Sequence, residues 1–307
     1  MSRVSSLRAA ITDRLAAQWA SLGYPLAGPV ETSVLDIEAA IAVTATLDTA
    51  AGARVRDAAI GWCAAYGAAV NASRLHRVVH ELGVTPDQVD ALAAEVAAIG
   101  GPRWSGVDGR RVVRGERGDV SAARSGMKQM RVRDLAGAPR LVWRLRSAFG
   151  VNARADVLAA LIVDPHRTST IGELAQRTRF GKRNVAVAVE SMALAGVVEV
   201  RRVANRDHVR LPAASPFASW LDLDQSRGIA DWTDAWRVAL TVARSLDASE
   251  AEPTSVQIVE GRATAAALDM AAAEANLPRP DLARVGPAWA VEYERWVEAL
   301  TEALATF

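Results

Sequence analysis

Apolar positions in the first hundred residues recur at helical intervals. Leu7, Ile11, Leu15 and Trp19 stand four apart, which places them on one face of a helix, and further helices are predicted at about 35–47, 53–68, 72–82 and 87–99. The last has both ends marked. Thr85 can cap it, Pro86 takes the first helical position, Gln88 completes a capping box and Gly100-Gly101 stops it. From Gly100 to about Ala138 the pattern gives way to Gly, Arg and Ser with few large apolar residues. This stretch reads as a linker or loosely packed arm, with room for a short hairpin around RRVVRGERGDV.

The centre of the chain sets a choice between strand and helix. In FGKRNVAVAVESMALAGVVEVRR, from Phe180 to Arg202, Val185, Val187 and Val189 alternate as in a strand. A helix starting at Lys182 instead brings Val185, Val189 and Met192 onto one face, and the run to Ala195 is too long for a typical strand. Helix is the better reading. Upstream, Val157, Leu158, Leu161 and Ile162 mark a first helix, and Thr170 with Glu173 forms the capping box of a short second one. A tight turn follows through Arg179 to Gly181, and Gly196 stands where a left-handed cap is expected. Then VVEVRRV, the turn ANRD and HVRL read as a two-stranded ribbon carrying Arg201, Arg202, Arg206, His208 and Arg210.

After Pro212 and Pro216 the pattern is helical again. Trp232, Trp236, Ala239 and Leu240 form one stripe, and a second helix is predicted between Ser255 and Ala275. In the final helix Trp289, Tyr293, Trp296, Leu300, Ala303 and Phe307 step by fours and threes, the spacing of a packing seam. Such aromatic stripes fill a core more often than they meet a partner, and both uses remain open here.

Charge divides the chain where hydropathy does not. The formal net charge is only +1, yet residues 103–154 hold 13 basic and 4 acidic side chains, and residues 155–212 hold 9 and 6. The flanks are acidic: 7 basic against 10 acidic in residues 1–102, and 7 against 15 in residues 213–307. The middle third is therefore suited to a polyanion, although a solvated arginine face gives the same counts.

Helix, helix, turn, helix and basic hairpin in that order resembles the winged helix-turn-helix of bacterial transcriptional regulators of the MarR-like and ArsR-like kind. IGELAQRTRFGKRNVAVAVESMALAGVVEVRR, its ribbon and the lead-in FGVNARADVLAAL carry the likeness over about 60 residues. The segment from Asp36 to Val79 is also similar to the N-terminal part of poorly characterised actinobacterial winged-helix proteins. The resemblance implies that the third helix enters the major groove and the wing follows phosphates. Lys182, Arg183 and Asn184 then match the groove-entering end and Val187 a base-facing site one turn on. Their chemistry suits guanine, adenine and the thymine methyl. Glu190, further out, opposes phosphate. Thr170, Arg179, the five ribbon residues and Arg110, Arg111 and Arg114 of the arm complete the expected DNA-contacting set.

Other chemistry is poorly provided for. His76 and His80 lie four apart without a third ligand nearby, and Asp222 with Asp224 lacks the Gly-Ser element of a nucleotidyl-transfer site. Cys63 is the single cysteine, so no intrachain disulfide and no four-cysteine zinc site can form. No phosphate-loop, dinucleotide or nucleophile-elbow motif occurs, and no enzyme activity, metal or cofactor is expected. No apolar run approaches the roughly 20 residues that cross a bilayer, which predicts no membrane partner and a cytoplasmic location.

The resulting expectation is a mainly α protein. It has an N-terminal helical bundle (1–100), an Arg/Gly-rich arm (101–138), a winged helix-turn-helix (139–212) and an acidic C-terminal helical domain (213–307). It would bind double-stranded DNA as a homodimer and regulate transcription. The rival is an accessory or antitoxin-like subunit of a nucleotidyltransferase or defence system, with the C-terminal domain on a protein partner.

Overall fold

A computed structural model describes residues 2–26, 31, 33–47, 50–104, 135–220 and 231–306. These residues form twelve α-helices and a three-stranded antiparallel sheet. None of the described helices is long and apolar enough to cross a membrane.

The first five helices are α1 (Arg3–Ser21), α2 (Ile37–Thr44), α3 (Ala50–Tyr66), α4 (Ala72–Glu81) and α5 (Pro86–Ala98). Their ends follow local chemistry. The Asp36 carboxylate caps α2 through the Ala39 N–H, the Asn71 carbonyl oxygen caps α4 through the Arg74 N–H, and the Gln88 side chain reaches back to the Thr85 N–H at 3.3 Å. Three more helices close the chain: α10 (Trp232–Ser249), α11 (Thr254–Glu274) and α12 (Gly286–Thr306).

These two groups of helices share one core. Leu7, Leu15, Trp19 and Trp62 belong to the same buried cluster as Trp236, Trp289 and Leu300, and α1 lies against both α10 and α12. The expected boundary between an N-terminal bundle and a C-terminal domain is thus one of sequence, and packing crosses it. The seam on α12 is internal: Trp289, Trp296, Leu300 and Ala303 are all buried.

Between the halves stands the winged helix, with a core of its own. It contains α6 (Leu141–Phe149), α7 (Ala153–Val163), β1 (Ser169–Thr170), α8 (Ile171–Thr178), α9 (Lys182–Leu194), β2 (Glu199–Val203) and β3 (Arg206–Arg210). Val185, Val189 and Met192 of α9 are buried together, as the helical period requires. The ribbon gains a third strand. Ser169 pairs with Val209 and Thr170 with His208, so the sheet order is β1-β3-β2. A two-residue strand offers no alternation to read in the sequence, and only its partner defines it.

Helix α6 joins the two cores. Leu141 and Leu145 enter the winged-helix core, while Trp143 enters the larger one, its ring centroid 5.2 Å from that of Trp62.

Candidate nucleic-acid interface

The turn into α9 decides what that helix presents. Arg179 adopts a left-handed conformation with φ of 58°, which reverses the chain just after the end of α8, and Gly181 then takes the N-cap of α9. Lys182, Arg183 and Asn184 follow in the first turn and are exposed. Val187, one turn on, is 60% exposed. The free N–H groups of that first turn add partial positive charge to the two cationic side chains. Helix α9 packs chiefly on α7 and α8, and the end of α8 just before it rests on the acidic body, Gln176 donating to Glu274 at 3.1 Å and Arg179 pairing with Asp234.

The wing is equally open. All five residues of β2 are exposed, and Arg201, Arg202 and Arg206 make no ion pair among the described residues. Arg210 differs from them: its guanidinium lies 2.6 Å from the Glu199 carboxylate across the β2–β3 ladder, which offsets its charge. His208 is half-buried. Thr170 is committed to α8, its hydroxyl accepting the Glu173 N–H at 3.2 Å while the Glu173 carboxylate accepts the Thr170 N–H at 2.6 Å. Glu190 is exposed on α9, an unfavourable charge for a phosphate backbone. Arg110, Arg111 and Arg114 lie outside the described residues, as do Asp222 and Asp224.

Arg179 corrects the sequence expectation. It is only 7% exposed, and its guanidinium lies 2.8 Å from Glu81, 2.7 Å from Asp234 and 3.2 Å from Asp231. A guanidinium held by three carboxylates inside the molecule cannot reach a phosphate. Its place is structural, between α8 and the helical body. No family model, curated protein or solved structure matches the chain.

A second buried network joins the same two parts. Arg146 of α6 donates to Glu38 of α2 at 2.6 Å and 3.0 Å and to Asp156 of α7 at 2.6 Å and 3.1 Å. Arg74 of α4 grips Asp36 through two bonds of 2.6 Å, reaches Glu38 at 2.7 Å and donates Nε to the Thr178 carbonyl at the end of α8. Burial opposes ionisation of both Asp36 and Glu38, yet the facing guanidinium groups overcome it and hold both carboxyls below their usual range. Three carboxylates meet two guanidinium groups, and the surplus falls on Asp156, where burial outweighs Arg146 and raises the pKa. The available clue is compositional: Glu38 sits in IEAAIAVT, a helix with no exposed residue, where an unpartnered carboxylate is untenable.

No described residues offer a metal centre. No group of three or more His, Cys, Asp or Glu among them is placed to hold an ion, and His76 and His80 are both exposed on α4. Cys63 is fully buried, and burial pushes its thiol pKa up, which makes it a poor nucleophile.

Proposed function

We propose that the protein is a sequence-specific double-stranded DNA-binding regulator, acting in the cytoplasm as a homodimer. The observation that carries this reading is the outward tip of α9. Lys182, Arg183 and Asn184 are exposed on a winged helix, beside a ribbon whose Arg201, Arg202 and Arg206 have no ion-pair partner among the described residues. In this reading α9 lies in the major groove, where Lys182 and Arg183 suit guanine, Asn184 suits adenine and Val187 meets a thymine methyl. The wing neutralises phosphates. One α9 reads few base pairs, so two copies on a two-fold site supply the specificity.

The test is a mobility-shift series on genomic fragments at increasing salt, comparing the native protein with a Lys182→Ala, Arg183→Ala, Asn184→Ala triple variant. Binding by the native chain that the triple variant loses supports the reading. Absence of binding by the native chain at low salt rejects it.

A further inference from the structure

The turn that aims α9 is held from outside the winged helix. An α-helix ends in carbonyls that have no partner along its own backbone. At the end of α8 the helical body supplies partners: Arg74 donates Nε to the Thr178 carbonyl at 2.9 Å, and Arg77 donates Nη1 to the Arg179 carbonyl. The Arg179 side chain runs the other way, into the body, where Nε lies 2.8 Å from the Glu81 carboxylate. Helix α9 begins at Lys182, three positions after Arg179.

Arg74, Arg77 and Glu81 belong to one helix, α4, and their spacing of three and then four residues places them on one face. Two cations on that face meet the negative end of the α8 dipole, and one carboxylate meets the cation that the turn itself carries. Asp234 of α10, 2.7 Å from Arg179, closes the grip from a second helix. Hydrogen bonds are directional, so these contacts fix the orientation of the turn where apolar packing would let it slide. The two arginines differ in what else they hold. Arg74 is buried and also grips Asp36 and Glu38, so its loss would open the network that joins the two cores. Arg77 is exposed on α4 and, among the described residues, stands outside that network.

We infer that α4 positions the reading helix, with Arg77 as a positioning residue that, together with Arg74 and Glu81, fixes the α8–α9 turn and through it the angle at which α9 meets DNA. The helical body is then part of the reading apparatus, because a displacement of α4 is passed to the start of α9. The effect on DNA rests on the function proposed above, whereas the clamp on the turn does not.

Arg77→Met removes the donor, keeps the aliphatic stem and spares the core, since Arg77 is exposed. Hydrogen exchange of the full chain without DNA should quicken about threefold or more across Gln176–Val187, while the urea midpoint and exchange in α1 and α12 match the native protein. On the preferred DNA sequence the variant binds about three- to tenfold more weakly, as when the competent conformation becomes a smaller fraction of the population. Its salt slope is unchanged. Native exchange across Gln176–Val187 in the variant overturns the inference, as does a quickening spread evenly through the molecule. Native DNA affinity in a variant whose turn is loosened overturns it too. So does a salt slope lowered by about 0.9, which would make Arg77 a phosphate contact instead. A native chain that ignores DNA while the exchange result holds removes the proposed function and leaves the clamp standing.

Discussion

Arg146 places Nη1 2.6 Å from Oε1 of Glu38, and both side chains are fully buried. The pair spans two hydrophobic cores, since Arg146 belongs to the winged helix and Glu38 to the body. Removing one partner strands the other in a low-dielectric setting. Glu38→Ala and Arg146→Ala are each expected to destabilise the protein by about 3–5 kcal/mol. Urea unfolding provides the check, with Arg210→Ala as the reference. That exposed pair with Glu199 is worth about 1 kcal/mol or less.

Arg179 separates a backbone effect from a charge effect. Arg179→Gly and Arg179→Ala both remove the guanidinium from its three carboxylates, but only glycine accepts φ of 58° without a steric cost. The glycine variant should exceed the alanine variant by about 1 kcal/mol in unfolding free energy. Neither should alter the salt dependence of the proposed DNA binding, because the guanidinium faces inward. A reduced salt slope in a folded Arg179 variant would return the residue to the DNA-contacting set.

Asp231 gives stability a recognisable pH signature. Its carboxyl rises from 3.8 to about 6 on folding, chiefly through burial. Between about pH 4 and pH 6 the folded state keeps a proton that the unfolded chain has released, so this group's contribution falls as pH rises and is level above that window. Asp36 and Glu38 act oppositely. Their carboxyls are depressed, so their contribution is lost as pH falls toward the depressed values. The stability of Asp231→Asn relative to the native protein should therefore climb from pH 4 to pH 6 and then plateau. A flat difference across that range in paired urea titrations would contradict the assignment.

The proposed interface predicts two kinds of defect. Arg183→Ala and Asn184→Ala should each cost about 1–3 kcal/mol on the preferred sequence and relax its selectivity, since base-edge hydrogen bonds carry sequence information. Arg201→Ala, Arg202→Ala and Arg206→Ala should weaken all sequences alike and lower the salt slope by about 0.9 for each phosphate left without its cation. Fluorescence anisotropy over a salt series distinguishes the two patterns.

Local chemistry makes much of this fold legible. The spacing of Val185, Val189 and Met192 identifies α9 as a helix, the Thr170–Glu173 box starts α8, and Gly196, with φ of 70°, ends α9 where the sequence calls for a cap. Pairings between distant positions leave no such trace. Glu38 and Arg146 are 108 residues apart, and neither has a neighbour that announces the other. Arg179 reads as one more cation in a basic stretch, because the carboxylates that claim it come from α4 and the start of α10. The acidic C-terminal composition suggests a separate domain, but composition describes surfaces, and Trp236 and Trp289 set the packing inside.

The division of the large core between the two ends of the chain has a consequence for synthesis. Leu7, Ile11 and Leu15 leave the ribosome first, but the helices that cover them are translated last. At roughly 5–20 residues per second, that interval lasts from about ten seconds to about a minute. The winged helix, with its self-contained core, can fold meanwhile. The nascent amino-terminal half therefore keeps an apolar face open until α10 and α12 emerge to cover it.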